Sequence, residues 1–263
     1  MMTNQQTVQA TRLRKSPAYL AIQLAGPVAV GLGSWIYLGL MIDDMGLIPG
    51  MPSMMMMSNA YDPVQLFGLF RMWAVMMAAM MLPTAIPMIM AYARMQASDR
   101  RSGAGSLPVF MFSGGYVVAW AVFSLAAAIM QAGLTNIALM SPMMMKTASE
   151  PLAGGILIVA GLYQLSPAKL SCLRQCRSPV SFLMTQWQDG KWGALIMGWR
   201  HGLFCVGCCW ALMGLLFVAG VMNTVWIVAI MLYVLVEKVI PGGERLSSIL
   251  GVSMIGFGLW IIF

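Results

Sequence analysis

Charged residues are scarce in this 263-residue chain: Lys, Arg, Asp and Glu together make up 9% of it, against about 25% in soluble domains. Hydrophobic residues account for 60%. This composition excludes an ordinary soluble domain and predicts an all-α integral membrane protein with the lipid bilayer as its surroundings. The net charge of +7 is therefore interpreted as a topology signal, and no nucleic-acid partner is predicted.

Histidine occurs only once, at position 201. A single histidine excludes the multi-histidine copper or di-iron oxygenase sites that would need several imidazoles from this chain. The chain also lacks a nucleophile elbow, a phosphate-binding loop, a zinc-protease motif and a dinucleotide glycine fingerprint. With no motif for a reaction, we do not predict an enzyme or a catalytic residue.

Seven apolar segments are predicted to cross the membrane, since about 20 residues of helix span the hydrocarbon core. They cover residues 17–40, 67–92, 108–132, 150–166, 193–221, 225–240 and 247–263. Residues 1–16 are predicted to form a flexible cytoplasmic tail, and 17–263 a single transmembrane domain. With the N-terminus inside and the C-terminus outside, 12 basic residues lie on the cytoplasmic side and only Lys146 clearly lies outside, as the positive-inside rule requires.

The most distinctive stretch lies in the fifth predicted helix, at residues 199–210. There His201, Cys205 and Cys208 are spaced i, i+4 and i+7 and share one helix face, with Cys209 at its edge. An imidazole beside thiols is a donor set for Cu(I) or Zn(II). The alternative is ordinary packing, in which small cysteines permit close helix contact.

A carboxylate on the next helix is predicted to lie at the same depth as these thiols. The turn at 221–224 makes the fifth and sixth predicted helices antiparallel neighbours. Counting from that turn places Glu237 level with Cys208 and Ile240 level with Cys205. Glu237 is therefore predicted to face the thiols as a further candidate metal ligand, or to pair with Arg200; the alternative is that it is an interfacial charge.

Methionine is unusually frequent, with 29 residues, and its thioether is a soft ligand for Cu(I). In the second predicted helix methionines recur at i+4, which lines one face with sulfur. The candidate ligands there are Met76, Met77, Met80 and Met81. Two methionine-rich loops, at 51–57 and 143–145, are predicted to face outward, so a sulfur route could lead from them inward. The alternative is flexible packing by methionine.

A second cysteine pair, Cys172 and Cys176, lies in the polar stretch 167–192, which is predicted to be a cytoplasmic loop. On a helical turn the two thiols stack at i, i+4. They are predicted to accept a soft metal or to form a redox pair; incidental cysteines are the alternative.

Several segments together resemble a bacterial family described as predicted metal-binding integral membrane proteins. They are residues 73–83, 161–167 with Lys169, 172–179, 197–213, 220–226 and 237–242. The pattern includes Arg-His-Gly-x-x-Cys-x-Gly-Cys-Cys-Trp at 200–210 and covers roughly residues 70–250. The resemblance implies a multi-pass metal-binding protein of a bacterial inner membrane, without naming the metal.

These observations lead to one main functional hypothesis and two alternatives. The main hypothesis is a protein that binds Cu(I), with zinc as the other metal considered, and serves copper transport, delivery or homeostasis. The first alternative is an accessory subunit of a larger membrane enzyme, such as a copper oxygenase or a respiratory or photosynthetic complex, or a homo-oligomer held by glycine-rich helix contacts. The second is a membrane thiol oxidoreductase using Cys172, Cys176, Cys208 and Cys209.

Overall fold

The computed structural model describes residues 17–47, 63–98, 106–141, 146–147 and 149–263. The predicted N-terminal tail at 1–16 and the methionine-rich segments at 51–57 and 143–145 lie outside these described residues.

Helices make up nearly all of the described chain. They are α1 (Pro17–Leu47), α2 (Pro63–Ser98), α3 (Leu107–Asn136), α4 (Glu150–Gln164), α5 (Pro167–Arg177), α6 (Pro179–Gln186), α7 (Gly190–Gly214), α8 (Leu216–Ala219), α9 (Thr224–Val239) and α10 (Gly243–Ile262). A two-residue antiparallel pair, β1 (Met140–Ser141) and β2 (Lys146–Thr147), lies between α3 and α4.

Five helical segments of the described chain are long and apolar enough to cross a membrane, and α4 with α5 forms a sixth if the bent pair is one span. The five are carried by α1, α2, α3, α7 with α8, and α10. The prediction of an all-α, multi-pass membrane protein is confirmed. The segment predicted as the sixth span is α9, whose 16 residues extend about 24 Å, less than the roughly 30 Å of the hydrocarbon core.

The polar stretch 167–192 is not the loop that was predicted, because it contains α5 and α6. The axis bends by 63° between α4 and α5. At this bend the Ser166 hydroxyl accepts a hydrogen bond from the Lys169 amide, and Pro167 occupies the first turn, which is the usual chemistry of a helix start. The same Ser-Pro pair, Ser178 and Pro179, precedes α6.

The interior is built mainly around α2, α3, α7 and α9, whereas α1 lies at the periphery. In the apolar window of α2, 56% of residues are buried, against 17% for α1. Glycines let the backbones of α3 and α7 approach closely. A Cβ at Gly115 would lie 2.7 Å from the backbone nitrogen of Trp199, and one at Gly202 would lie 3.1 Å from the carbonyl oxygen of Tyr116. This contact fixes the distance between the side chains that α3 and α7 direct at each other.

Candidate metal centre

Three cysteines of α7 form a compact cluster in the interior. The Sγ atoms of Cys205, Cys208 and Cys209 all lie within 4.8 Å of one another, and all three residues are buried. The thiols of Cys208 and Cys209 donate to the Cys205 carbonyl oxygen, at 3.1 and 2.9 Å. Positions i, i+3 and i+4 of one helix therefore bring together three soft donors that could hold a metal ion.

A fourth thiol reaches this cluster from α5. The Sγ of Cys176 lies 4.0 Å from the Sγ of Cys208, and Cys176 is buried. Two polar contacts lie outside the cluster at the end of α5: Arg177 donates to the Ile240 carbonyl at 2.8 Å, and Arg174 pairs with Glu244 at 3.0 Å. Cys176 thus belongs to the same group of thiols as α7 and is not part of a separate cytoplasmic loop.

Cys172 lies one turn before Cys176 and is only half-buried. It packs against α7 at Gly207, where an added Cβ would lie 2.8 Å from the Cys172 Sγ. Tyr163 donates to the carbonyl of the same glycine. Going from Cys208 through Cys176 to Cys172, the thiols of α7 and α5 become progressively more accessible.

His201 lies one turn before Cys205 on the same buried face of α7, as predicted. It is enclosed by aromatic rings, with ring centroids 5.5 Å from Phe182, 5.6 Å from Tyr116 and 6.2 Å from Phe112. Its Nδ1 is buried and has no hydrogen-bond partner in the described part of the protein. The imidazole is not in the mutually close group of Cys205, Cys208 and Cys209, so it borders the thiol cluster and remains a predicted ligand.

A lysine, a tyrosine and a threonine surround the Cys205 sulfur. The Cys205 Sγ lies 3.1 Å from the Tyr116 Oη and accepts a 3.1 Å contact from the Lys238 Nζ. The same ammonium donates to the Thr84 Oγ1 at 3.0 Å. None of these three residues was predicted from the sequence as part of the site; the available signal was the position of Lys238, level with the thiols on the neighbouring helix.

Glu237 has a different partner from those predicted. Its Oε1 pairs with the Lys169 Nζ at 2.5 Å, and both side chains are fully buried. Gln164 accepts a further hydrogen bond from this ammonium. The expected pairing of Glu237 with Arg200 is wrong, because Arg200 donates to the Gln186 Oε1 at 2.6 Å. Glu237 therefore ties α9 to α5, and it is Lys238 that faces the thiols.

The four candidate methionines of α2 face the interior of the helical bundle. Met76, Met77, Met80 and Met81 are fully buried. Met81 is close to the cluster: its carbonyl accepts from the Tyr116 hydroxyl at 3.0 Å, and its Sδ lies 4.0 Å from the Thr84 Oγ1. Through Tyr116 and Thr84, the methionine-lined part of α2 meets the surroundings of Cys205.

Fold and site together define a multi-pass membrane protein whose buried thiols have the donor chemistry of a soft-metal site. A family model described as a copper chaperone, PpoB2, matches residues 70–261. The match covers most of the chain, and the chain belongs to this family. No curated protein and no solved structure matches it. Membership of a copper-related family supports the predicted resemblance in part, whereas the motif at 200–210 stays a prediction.

Proposed function

We propose that this protein binds Cu(I) inside the membrane and serves its transport, delivery or homeostasis. The observation that carries the proposal is the cluster of Cys205, Cys208 and Cys209, found in a chain of a copper chaperone family. Cu(I) favours soft sulfur donors, and a cluster with Cys176 alongside offers alternative ligands between which an ion can be passed. Zn(II) is the competing ion for such a thiol set.

The proposed path enters from α2 and leaves along α5. Met81 lies beside Thr84 and Tyr116, which adjoin Cys205, so the buried methionines supply soft neutral donors up to the thiols. Cys176 and half-buried Cys172 continue the series of sulfurs outward. The methionine segments at 51–57 and 143–145 are proposed to capture the ion first. We place this single transmembrane domain in a bacterial inner membrane with the N-terminus inside, so that Cys172 lies towards the cytoplasm.

Cys208→Ser is expected to remove most of the bound copper, because Cys208 is the thiol that contacts both the α7 cluster and Cys176. Full-length protein, supplied with Cu(I) and purified anaerobically, is expected to hold about one copper ion per chain. Elemental analysis measures copper and zinc together and so identifies the ion. Cys172→Ser is the matched control, since Cys172 lies outside the mutually close group, and it is expected to retain copper. Wild type without copper or zinc above background would refute the proposal.

Met81→Leu is expected to slow copper loading without lowering the final content. Leucine keeps the apolar volume but removes the sulfur that adjoins Thr84. The measurement is the rate at which Cu(I) passes from a chromophoric chelator to the protein. Met184→Leu is the control, because Met184 is 72% exposed on α6. Equal loading rates for both variants and wild type would contradict a role for the methionines of α2 in the path.

An accessory subunit of a larger membrane enzyme is the second candidate function. Glycine-rich helix contacts with another chain were expected for this function. Two glycines, Gly154 and Gly258, instead bring α4 and α10 of the same chain together. Gly33, Gly155 and Gly256 meet nothing within 4 Å and are free to contact another chain. Stoichiometric partner chains in the same purification, with metal content unchanged in Cys208→Ser, would favour this function over copper handling.

A further inference from the structure

Two consecutive residues of α9 place opposite charges against three other helices. Glu237 is paired with Lys169 of α5, whereas the Lys238 Nζ lies 3.1 Å from the Cys205 Sγ of α7 and 3.0 Å from the Thr84 Oγ1 of α2. Lys238 is half-buried. Within the described ranges, no carboxylate oxygen lies within 4.0 Å of it, since the ion pairs there are Lys169–Glu237 and Arg174–Glu244. Its ammonium is therefore directed at a sulfur and a neutral hydroxyl.

The charge of a copper–thiolate complex explains what such an ammonium can do. Cu(I) carries one positive charge, and two thiolate ligands carry two negative charges, so the complex is a monoanion. A buried monoanion without a counter-charge is unfavourable in a low-dielectric interior. An ammonium in contact with one ligand sulfur makes the assembly neutral. Lys169 is fully buried but is already neutralised by Glu237, which leaves Lys238 as the cation that adjoins the cluster in the described part of the chain.

We propose that Lys238 supplies the counter-charge of the copper–thiolate complex, that Cys205 is one of the two ligands in that complex, and that Lys238 thereby sets how tightly copper is retained. Lys238 is a positioning residue: it acts through the Cys205 sulfur and does not itself bind the metal. This inference rests on the proposed copper function. Tyr116, also 3.1 Å from the Cys205 Sγ, is a neutral neighbour and cannot replace this charge.

The experiment compares full-length variants in detergent by anaerobic competition for Cu(I) with a chromophoric chelator. Lys238→Gln removes the charge but keeps an amide donor, and Lys238→Met removes both. Each is expected to weaken Cu(I) binding by about 10–100-fold, which lies between the effect of a unit-charge interaction in water and that near a protein surface. Lys238→Arg keeps the charge and is expected to retain most of the affinity. Lys191→Gln, which removes the charge of an exposed lysine at the start of α7, is the control and is expected to bind as wild type does.

A double-mutant cycle separates counter-charge from packing. If Lys238 acts on the Cys205 thiolate, adding Lys238→Gln to Cys205→Ser weakens Cu(I) binding much less than adding it to wild type. An equal loss in both backgrounds, or tight binding by Lys238→Gln, overturns the inference. Thermal unfolding of each variant identifies any that fails to fold, and Lys238→Gln then replaces Lys238→Met. Wild type that binds no Cu(I) refutes the proposed function itself, whereas wild-type binding with unaffected lysine variants refutes this inference alone.

Discussion

Replacing Glu237 by leucine is expected to lower the free energy of unfolding by about 3–5 kcal/mol, the usual effect of breaking a buried ion pair on one side. The Lys169 ammonium is fully buried and 2.5 Å from the Glu237 carboxylate. Without that carboxylate, its remaining partner among the described residues is the neutral Gln164, and desolvation of the charge is no longer compensated. Thermal or denaturant unfolding in detergent measures the loss.

The same substitution is expected to release α5 from the bundle, because Lys169 and Cys176 lie on that helix. Cys176, buried beside Cys208 in the wild type, should then react with a thiol reagent such as a maleimide. Peptide mass spectrometry locates the modified cysteine.

Two further variants test whether the uncompensated charge is the cause. Lys169→Met combined with Glu237→Leu replaces the pair by apolar side chains and is expected to recover most of the stability. Arg174→Gln breaks an exposed ion pair, with side chains 68% and 38% exposed, and is expected to have little effect. If Glu237→Leu unfolds as wild type does, the buried pair does not hold α5 in place.

Substitution of Gly115 by leucine is expected to be the most disruptive change at the contact between α3 and α7. A Cβ there would lie 2.7 Å from the Trp199 nitrogen and 3.1 Å from the Gly198 carbonyl carbon, and backbone cannot move aside as a side chain can. Overpacking of this kind destabilises by about 1–3 kcal/mol or more. Separation of the helices would also move Tyr116 away from Cys205, now 3.1 Å apart, so stability and copper content should both fall.

Gly114 provides the matched control on the same helix. Nothing lies within 4 Å of a Cβ added there, so Gly114→Leu should unfold and bind copper as wild type does. A similar loss in both variants would mean that the helix itself, and not its contact with α7, is sensitive to substitution.

The class of protein and the buried face of α7 were predictable from composition and spacing. Scarce charge indicates a membrane protein, and His201, Cys205 and Cys208 fall on one helix face by periodicity alone. The depth of the α9 charges was also close, since counting placed Glu237 level with Cys208. The prediction that Glu237 faces the thiols was wrong. Successive helical residues point about 100° apart, so a count along the helix axis cannot decide whether Glu237 or Lys238 faces them.

The approach of Cys176 to the cluster was not predictable by these means. It depends on the 63° bend between α4 and α5, which returns a polar segment to the bundle. Composition indicated a loop, because Lys169, Arg174 and Arg177 are charged. The local signal for α5 was Ser166 followed by Pro167, a cap and a first-turn proline. The partner that compensates the charge of buried Lys169 is Glu237, which lies 68 residues later in the chain.

That separation has a consequence for biosynthesis. At about 5–20 residues per second, Lys169 is made roughly 3–14 s before Glu237. A lone lysine in an inserting helix is unfavourable, by up to about 2.5–3.5 kcal/mol at the helix centre on insertion scales. We therefore expect α5 to remain at the membrane surface until α9 has been inserted. Cys176 joins the other thiols only then, so a nascent chain cannot assemble the four-thiol site before its C-terminal third has left the ribosome.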